Sequence, residues 1–235
     1  MLRGLGIVHP LTNCITGLLI RELAAEHLAS HPAPELPQCS LLAQPKLQWQ
    51  FDVEIMKPLL RALIEEGVTF RGLLYPGLII TSDGPRVLEF NCRFGDPETQ
   101  VLLPRMKSDL LPLLEATIDG KIERCAIEWD TRSAVTVVLA SGGYPGKYES
   151  GKSISGLDQA TKLGDVQIFH AGTKRDGSEV KTAGGRVLAV TALGATLEAA
   201  RARAYEAVSR IHFENCHYRR DIALNAVAAN MTELL

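Results

Sequence analysis

The sequence predicts an α/β (α+β) fold in two parts, with the division near residue 121. Three observations support this prediction. Between residues 46 and 120, two helical stripes flank a strand–turn–strand segment. After residue 121, segments rich in β-branched residues alternate with Gly-rich turns, which is typical of a small, mostly antiparallel sheet. One further helical stripe follows, and 235 residues suffice for two domains that each bury a core.

Residues 1–45 form an unassigned N-terminal segment, because they show no clear pattern. Arg21–Ser30 is predicted to form at most a short amphipathic helix, since three prolines between residues 31 and 37 block regular structure. The first residues match a signal peptide poorly, because their apolar stretch is broken by polar residues and a proline.

The segment from Phe51 to Gly67 is predicted to be a helix, and its last residue is typical of a helix C-cap. Pro58 marks either the first turn of a shorter helix or a kink, and the sequence leaves both open. The side chains predicted to form its apolar stripe are Ile55, Leu59, Leu60, Leu63 and Ile64.

A β-hairpin is predicted after this helix. Gly72–Thr81 is an apolar run of strand length, Ser82–Pro85 carries an Asp-Gly turn, and Arg86–Asn91 is the second strand.

A second helix is predicted from Pro97 to Gly120, with an interruption at Pro104 and a restart near Ser108 as N-cap. The side chains predicted to form its buried face are Leu110, Leu111, Leu113, Leu114 and Ile118.

The C-terminal part is predicted to contain three strands, which are Ser133–Ala140, Val166–Ala171 and Arg186–Leu193. A Gly-, Pro- and Ser-rich loop covers Ser141–Gly156, and Gly184-Gly185 turns the chain before the last strand. Thr196–Ile211 is predicted to be a helix. Its inward side chains are Leu197, Ala200, Ala204, Ala207, Val208 and Ile211.

The composition excludes several classes of function. A net charge of −2 and 6% aromatic residues argue against a nucleic-acid or anionic-membrane partner. No apolar run is long enough to span a bilayer. The five cysteines are odd in number and lack a Cys-x-x-Cys spacing, which predicts reduced thiols in a cytoplasmic protein. His212 and His217 flank Cys216 and are predicted to be packing or surface residues.

The stretch VLEFNCRFGDPETQ, residues 87–100, carries the candidate chemistry. Because alternate side chains of a strand share a face, Glu89 and Asn91 should lie side by side while Leu88 and Phe90 enter the core. Carboxylate and amide oxygens are ligands that Mg²⁺ accepts. A Glu and an Asn two residues apart are also common on a solvated strand face, and strand geometry alone leaves both interpretations open.

The residues after this strand strengthen the first interpretation. Arg93 offers a planar fork of donors suited to phosphate or carboxylate, and Gly95 permits a tight turn. Pro97 is predicted to begin a helix whose N-terminus favours anions. Metal ligands, a guanidinium and a helix N-terminus within ten residues indicate a site for phosphoryl transfer.

The segment GLLYPGLIITSDGPRVLEFNCRFGDPETQVLLPRMKSDLL resembles the end of the ATP-grasp domain in the phosphoribosylamine–glycine ligase family, also called glycinamide ribonucleotide synthetases. SGGYPGKYESGKSISGL, HAGTK, GGRVLAVTALG and YRRDI resemble that family's C-terminal domain in the same order. The resemblance covers about residues 51–225. It implies that residues 46–120 are the C-terminal half of an ATP-grasp domain and residues 121–235 the C-terminal domain.

The resemblance also implies a reaction. The family joins glycine to 5-phosphoribosylamine in de novo purine biosynthesis while ATP is cleaved to ADP and phosphate. By resemblance, Glu89 and Asn91 would bind Mg²⁺ or Mn²⁺. Arg93 and Asp96 would approach the ATP phosphates or the substrate as catalytic residues, with Arg93 also binding ATP.

Two alternatives remain at this point. Gly146–Ser153, GKYESGKS, matches the Walker A pattern of P-loop nucleotide hydrolases. A true P-loop follows a strand directly and opens a helix, whereas here Gly142–Pro145 intervenes and no helical stripe follows, so a flexible, solvated loop is expected. The second alternative is a non-catalytic or partner-dependent ligase portion. Residues 1–50 do not resemble the family's substrate domain or ATP lid, so a partner chain would supply the N-terminal half.

Overall fold

The computed structural model describes residues 18–20, 49–81 and 83–224. These residues form two compact units. The N-terminal unit comprises residues 18–20, 49–81, 83–95 and 106–129, and the C-terminal unit comprises residues 96–105 and 130–224. The predicted domain ranges stay predictions, because the two units interleave along the chain. The predicted helix Arg21–Ser30 lies outside the described residues.

The N-terminal unit contains an antiparallel sheet in the order β1-β2-β3. Its strands are β1 (Leu18–Ile20), β2 (Gly72–Thr81) and β3 (Gly84–Asn91). The predicted hairpin is confirmed, and β3 begins earlier than predicted because Gly84 already pairs with Thr81. A bulge in the register makes Leu88 an extra residue, since Gly77 pairs with Glu89 and Leu78 pairs with Val87. β1 was not predicted.

The predicted first helix is confirmed, with a change of type at its proline. Phe51–Met56 forms a π-helical turn, and α1 (Lys57–Glu65) follows with Pro58 in its first turn. Proline cannot donate a backbone hydrogen bond and its ring crowds the preceding turn, which accounts for the wider turn before it. Gly67 follows the helix with a φ of 70°, as its predicted role requires.

The predicted second helix is broken into two parts along the chain. α2 (Thr99–Leu102) continues as the 3₁₀ turn Leu103–Arg105, and α3 is Leu110–Ile118. Asp109 rather than Ser108 caps α3, because its carboxylate accepts the Leu111 amide at 3.0 Å. The hydroxyl of Ser108 instead accepts the amide of Glu128 at 2.7 Å.

Several apolar side chains predicted to be buried in this unit are exposed instead, which corrects the predicted burial. They are Ile64, Leu88, Phe90, Leu111 and Ile118, with 53%, 66%, 40%, 60% and 67% of their surface accessible. Periodicity shows which residues share a face, but not which face is covered. The core of the unit is small and consists of Phe51, Met56, Leu60, Leu74 and Leu78.

The C-terminal unit is built on an antiparallel sheet in the order β4-β9-β6, which confirms the three predicted strands. They are β4 (Ser133–Ala140), β6 (Val166–His170) and β9 (Arg186–Gly194). α5 (Leu197–Val208) packs on this sheet through Ala200, Ala204 and Ala207, which are fully buried as predicted. The hydroxyl of Thr196 caps α5 by accepting the Ala199 amide at 3.1 Å.

A second sheet in the order β5-β8-β7 was not predicted. Its strands are short and mostly polar: β5 (Ser153–Ile154), β7 (Thr173–Asp176) and β8 (Glu179–Thr182). α4 (Leu157–Thr161) follows β5. The only sequence signal for this sheet is the two-residue loop Gly177-Ser178 between β7 and β8. Among all helices in the described ranges, none is long and apolar enough to cross a bilayer.

Candidate functional site

Glu89 and Asn91 lie side by side near the end of β3. The amide nitrogen Nδ2 of Asn91 donates a hydrogen bond to Oε1 of Glu89 at 3.1 Å. Glu89 is exposed and Asn91 is half-buried. Gly77 on β2 lies opposite Glu89, and a Cβ atom there would approach Cγ of Glu89 to 3.2 Å. The glycine therefore leaves the space over which the Glu89 side chain extends.

The donor set of this pair fits a hard divalent cation. Because Asn91 uses its nitrogen toward Glu89, its Oδ1 stays available as a ligand, together with the second carboxylate oxygen of Glu89. Mg²⁺ commonly takes one or two protein carboxylates and completes its shell with water and phosphate oxygens. In the described part of the chain, no group of three or more His, Cys, Asp or Glu side chains could hold a metal ion alone. The pair therefore fits a metal that is shared with a phosphate ligand.

Arg93 lies beyond the end of β3 with an exposed side chain. Its Nη1 donates to the carbonyl oxygen of Phe94 at 2.8 Å. The helix predicted to begin at Pro97 starts only at Thr99 and has four residues. A single turn aligns too few peptide dipoles to make a strong anion site. The prediction of a long helix that begins at Pro97 and favours anions at its N-terminus was therefore wrong.

Asp96 belongs to the C-terminal unit, where it forms an ion pair that was not predicted. Nη2 of Arg186 lies 3.0 Å from Oδ2 of Asp96, and Nη1 of Arg186 donates to the Asp96 carbonyl at 3.1 Å. Nε2 of Gln100 donates to the other carboxylate oxygen at 2.9 Å. Arg186 follows Gly184-Gly185 at the start of β9. Because it lies 90 residues from Asp96, no motif or spacing in the sequence could predict the contact between them.

The P-loop alternative is contradicted by the surroundings of Lys152. The residue after it begins β5 rather than a helix, and the Lys152 amide donates to the hydroxyl of Thr182 at 3.1 Å. Its ammonium pairs with Glu214 at 2.9 Å and with Glu149 at 3.0 Å. These two carboxylates raise the pKa of Lys152 above its ordinary value. The ammonium is thus held by carboxylates on both sides, where a P-loop lysine would meet phosphates.

The loop before Lys152 is also more firmly held than predicted. The hydroxyl of Ser141 donates to the Gly184 carbonyl at 2.8 Å, and the amide of Gly151 donates to the Thr182 carbonyl at 2.7 Å. The ring of Tyr144 packs so closely on Gly185 that it would overlap a Cβ atom there. The loop is therefore fixed by its backbone contacts, and only its outer residues are solvated.

Replacing Lys152 by alanine is expected to leave nucleotide affinity unchanged. Its ammonium is paired with Glu149 and Glu214, and no strand-to-helix turn surrounds it. The measurement is titration calorimetry of MgATP with the wild-type and Lys152→Ala chains. Complete loss of binding in the variant would restore the P-loop alternative.

Two family models match the chain. The model described as "Phosphoribosylglycinamide synthetase, ATP-grasp (A) domain" matches residues 37–99, and the one described as "Phosphoribosylglycinamide synthetase, C domain" matches residues 134–225. The chain belongs to the phosphoribosylamine–glycine ligase family. The resemblance inferred from LEFNCRFGDPE and the later segments is thereby confirmed, and Glu89, Asn91, Arg93 and Asp96 all lie within the ATP-grasp match. The match begins at residue 37, so the expectation that residues 1–50 do not resemble the family was wrong for residues 37–50.

Similar proteins carry the name of this family. Phosphoribosylamine–glycine ligase of Halalkalibacterium halodurans is 50% identical over 175 residues, which are 74% of this chain and 40% of the relative. The ligase of Allochromatium vinosum is 46% identical over 201 residues, which are 85% of this chain and 45% of the relative. The chain thus spans less than half the length of these relatives.

A solved structure also resembles the chain. The crystal structure of phosphoribosylamine–glycine ligase from Thermotoga maritima matches with a TM-score of 0.56 and 38% sequence identity. The match covers 70% of this chain and 40% of that protein. The α+β fold with antiparallel sheets is therefore that of the ATP-grasp ligase family.

Proposed function

We propose that the chain contributes to the ATP-dependent ligation of glycine to 5-phosphoribosylamine, giving glycinamide ribonucleotide in de novo purine biosynthesis. The observation that carries this proposal is the contact between Glu89 and Asn91, which lies inside the segment matched by the ATP-grasp model. The name phosphoribosylamine–glycine ligase, which these relatives carry, gives the substrates, glycine and phosphoribosylamine. ATP and Mg²⁺ or Mn²⁺ are the proposed cofactors.

In the proposed reaction, a carboxylate oxygen of glycine attacks the γ-phosphorus of ATP, and ADP leaves. The amine of 5-phosphoribosylamine then attacks the carbonyl carbon of the acyl phosphate, so that a C–N bond forms, phosphate leaves and the amine loses a proton. Glu89 and Asn91 would hold the divalent metal, which offsets negative charge on the ATP phosphates when bound. The exposed guanidinium of Arg93 would donate to a phosphate oxygen.

Asp96 is suited to a different role. Its carboxylate keeps 45% of its surface accessible, although each oxygen already accepts one hydrogen bond or ion-pair contact. A carboxylate has about four acceptor positions, so Asp96 can still accept a hydrogen bond from a substrate amine. We assign it to the amine-bearing substrates rather than to the phosphates.

The proposed partners are small molecules and a polypeptide that supplies the rest of the ligase. The chain matches 40–45% of the relatives' length, which favours partner-dependent activity as the second candidate. A cytoplasmic location is proposed from the free thiols of Cys92, Cys125 and Cys216 and from the substrates.

The proposed function is tested by measuring glycinamide ribonucleotide and ADP formation. Residues 1–235 alone are expected to bind MgATP weakly and show no turnover, because they match only 40% of the Halalkalibacterium ligase. Addition of the unmatched part of the Halalkalibacterium ligase, purified separately, is expected to give glycine-dependent ADP release. The matched control replaces this chain by its Glu89→Gln variant. Turnover by the chain alone would remove the partner requirement, and no turnover in the mixture would refute the proposed function.

A further inference from the structure

We propose that Arg186, in the C-terminal unit, is a positioning residue that fixes the Asp96 carboxylate for the amine-bearing substrate. This inference rests on the proposed ligase function for its effect on the reaction. Its structural part, that Arg186 holds Asp96, rests only on contacts within the C-terminal unit.

The guanidinium of Arg186 contacts Asp96 at two atoms. One nitrogen lies 3.0 Å from the carboxylate oxygen Oδ2 and another donates to the carbonyl oxygen at 3.1 Å. A planar fork that bridges side chain and backbone of the same residue restricts the position of Asp96 and the rotation of its carboxylate. Lysine has a single ammonium group and cannot reproduce this geometry.

A second set of contacts holds the other side of Asp96. Gln100 donates to Oδ1 of Asp96 at 2.9 Å, and the carbonyl of Gln100 accepts from the Thr191 hydroxyl at 2.8 Å. The hydroxyl of Thr191 lies 2.8 Å from that of Thr136, directly across β4 and β9. Thr136 and Thr191 are both buried, so these polar contacts anchor α2 to the sheet without competition from water.

The backbone that presents Arg186 is itself fixed. Gly172 donates its amide to the Arg186 carbonyl at 2.9 Å, and a Cβ atom on Gly172 would approach the Gly184 Cα to 2.6 Å. This close backbone approach leaves no space for a side chain at either glycine. The backbone of Arg186 is therefore fixed at the start of β9. Its fixed backbone limits the positions that the guanidinium can take beside Asp96.

These contacts leave Asp96 oriented but not covered. Both carboxylate oxygens have one partner, and 45% of the side chain is accessible. A carboxylate oriented before the ligand arrives loses less rotational freedom on binding an amine. Loss of Arg186 should therefore weaken the use of the amine substrates while the KM for ATP stays unchanged.

The test compares Arg186→Met and Arg186→Lys in the complemented ligase assay. Misplacement of a catalytic group by about 1 Å can cost ~100-fold in rate, so kcat/KM for the amine substrates should fall ~10- to 100-fold in Arg186→Met. The kcat/KM of Arg186→Lys for the amine substrates should lie between the values of Arg186→Met and the wild type. In an Asp96→Asn background, Arg186→Met should add less than about twofold, because coupled residues are not additive. Full additivity, or an equal rise in the KM for ATP, would refute the positioning role.

Hydrogen exchange of the chain alone gives a readout that does not depend on activity. In Arg186→Met, amide exchange over residues 98–102 should accelerate, because Asp96, just before α2, loses its contacts with Arg186. The contact between Gln100 and Thr191 then remains to hold α2 to β9. The matched control is Arg203→Met, which breaks an ion pair with Glu206 on the surface of α5 and should leave this segment unchanged. Unchanged exchange in Arg186→Met would overturn the inference. Faster exchange without turnover in the wild-type mixture would instead refute only the proposed function.

Discussion

Replacing Glu89 by glutamine is expected to lower the affinity for Mg²⁺- or Mn²⁺-nucleotide and the ligase rate by about 100-fold or more. Even outer partners of metal ligands typically contribute ~10- to 100-fold, so a direct ligand should contribute at least as much. Glutamine keeps an oxygen that can accept the Asn91 amide, so the change removes the carboxylate charge with little effect on packing. Calorimetric titration with Mn²⁺ and ADP measures the affinity.

The matched control for this experiment is Glu115→Gln. Glu115 is also exposed and belongs to the N-terminal unit, on α3, outside the Glu89–Asn91 pair. We expect its metal-dependent nucleotide affinity to equal that of the wild type. Equal affinities for Glu89→Gln and Glu115→Gln would show that Glu89 is a solvated strand residue and not a metal ligand.

Replacing Gly156 by alanine is expected to destabilise the C-terminal unit by about 3 kcal/mol or more. Gly156 has a φ of 83°, and a Cβ atom there would overlap the carbonyl oxygen of Arg210. The two backbone segments cannot easily move apart to relieve this overlap. Reciprocal backbone hydrogen bonds of 2.9 and 3.1 Å join Ser155, next to Gly156, to His212, two residues after Arg210. Urea denaturation followed by circular dichroism measures the loss.

Gly151 provides the matched control for Gly156. Its φ of 88° is nearly the same, but no atom lies within 4 Å of a Cβ built on it. Gly151→Ala should therefore cost only the left-handed backbone conformation, about 1 kcal/mol. The difference between the two variants measures the steric contact with Arg210. Equal losses would mean that the segment moves freely and that the contact carries no cost.

The main sheet and helix of the C-terminal unit could be predicted well because their sequence patterns agree with the burial of their side chains in the folded unit. In β4 and β9, β-branched residues fill a buried sheet, and in α5 the inward positions are alanines that pack closely on it. Local pattern and tertiary burial coincide there, so the prediction from either is the same. The polar strands β7 and β8 lack this agreement, and only Thr182 among their residues is buried.

The N-terminal unit could be predicted in outline but not in burial. The alternation in β3 correctly placed Glu89 beside Asn91, yet Leu88 and Phe90 are exposed. Pattern fixes relative orientation, whereas burial depends on which other segments cover the face. The ion pair between Asp96 and Arg186 could not be predicted for a related reason. Its residues are 90 positions apart, and a single sequence carries no signal for such a contact.

Gly77 makes the β2–β3 hairpin less stable but leaves space for the Glu89 side chain. Glycine is a poor strand former, and almost any other residue would stiffen β2 and contribute side-chain packing with β3. Its Cβ atom, however, would press on the Glu89 side chain at 3.2 Å. The proposed metal chemistry would therefore favour glycine at this position, whereas thermal stability would favour a larger residue. The proposed site would thus keep the strand beside it weaker than stability alone would favour.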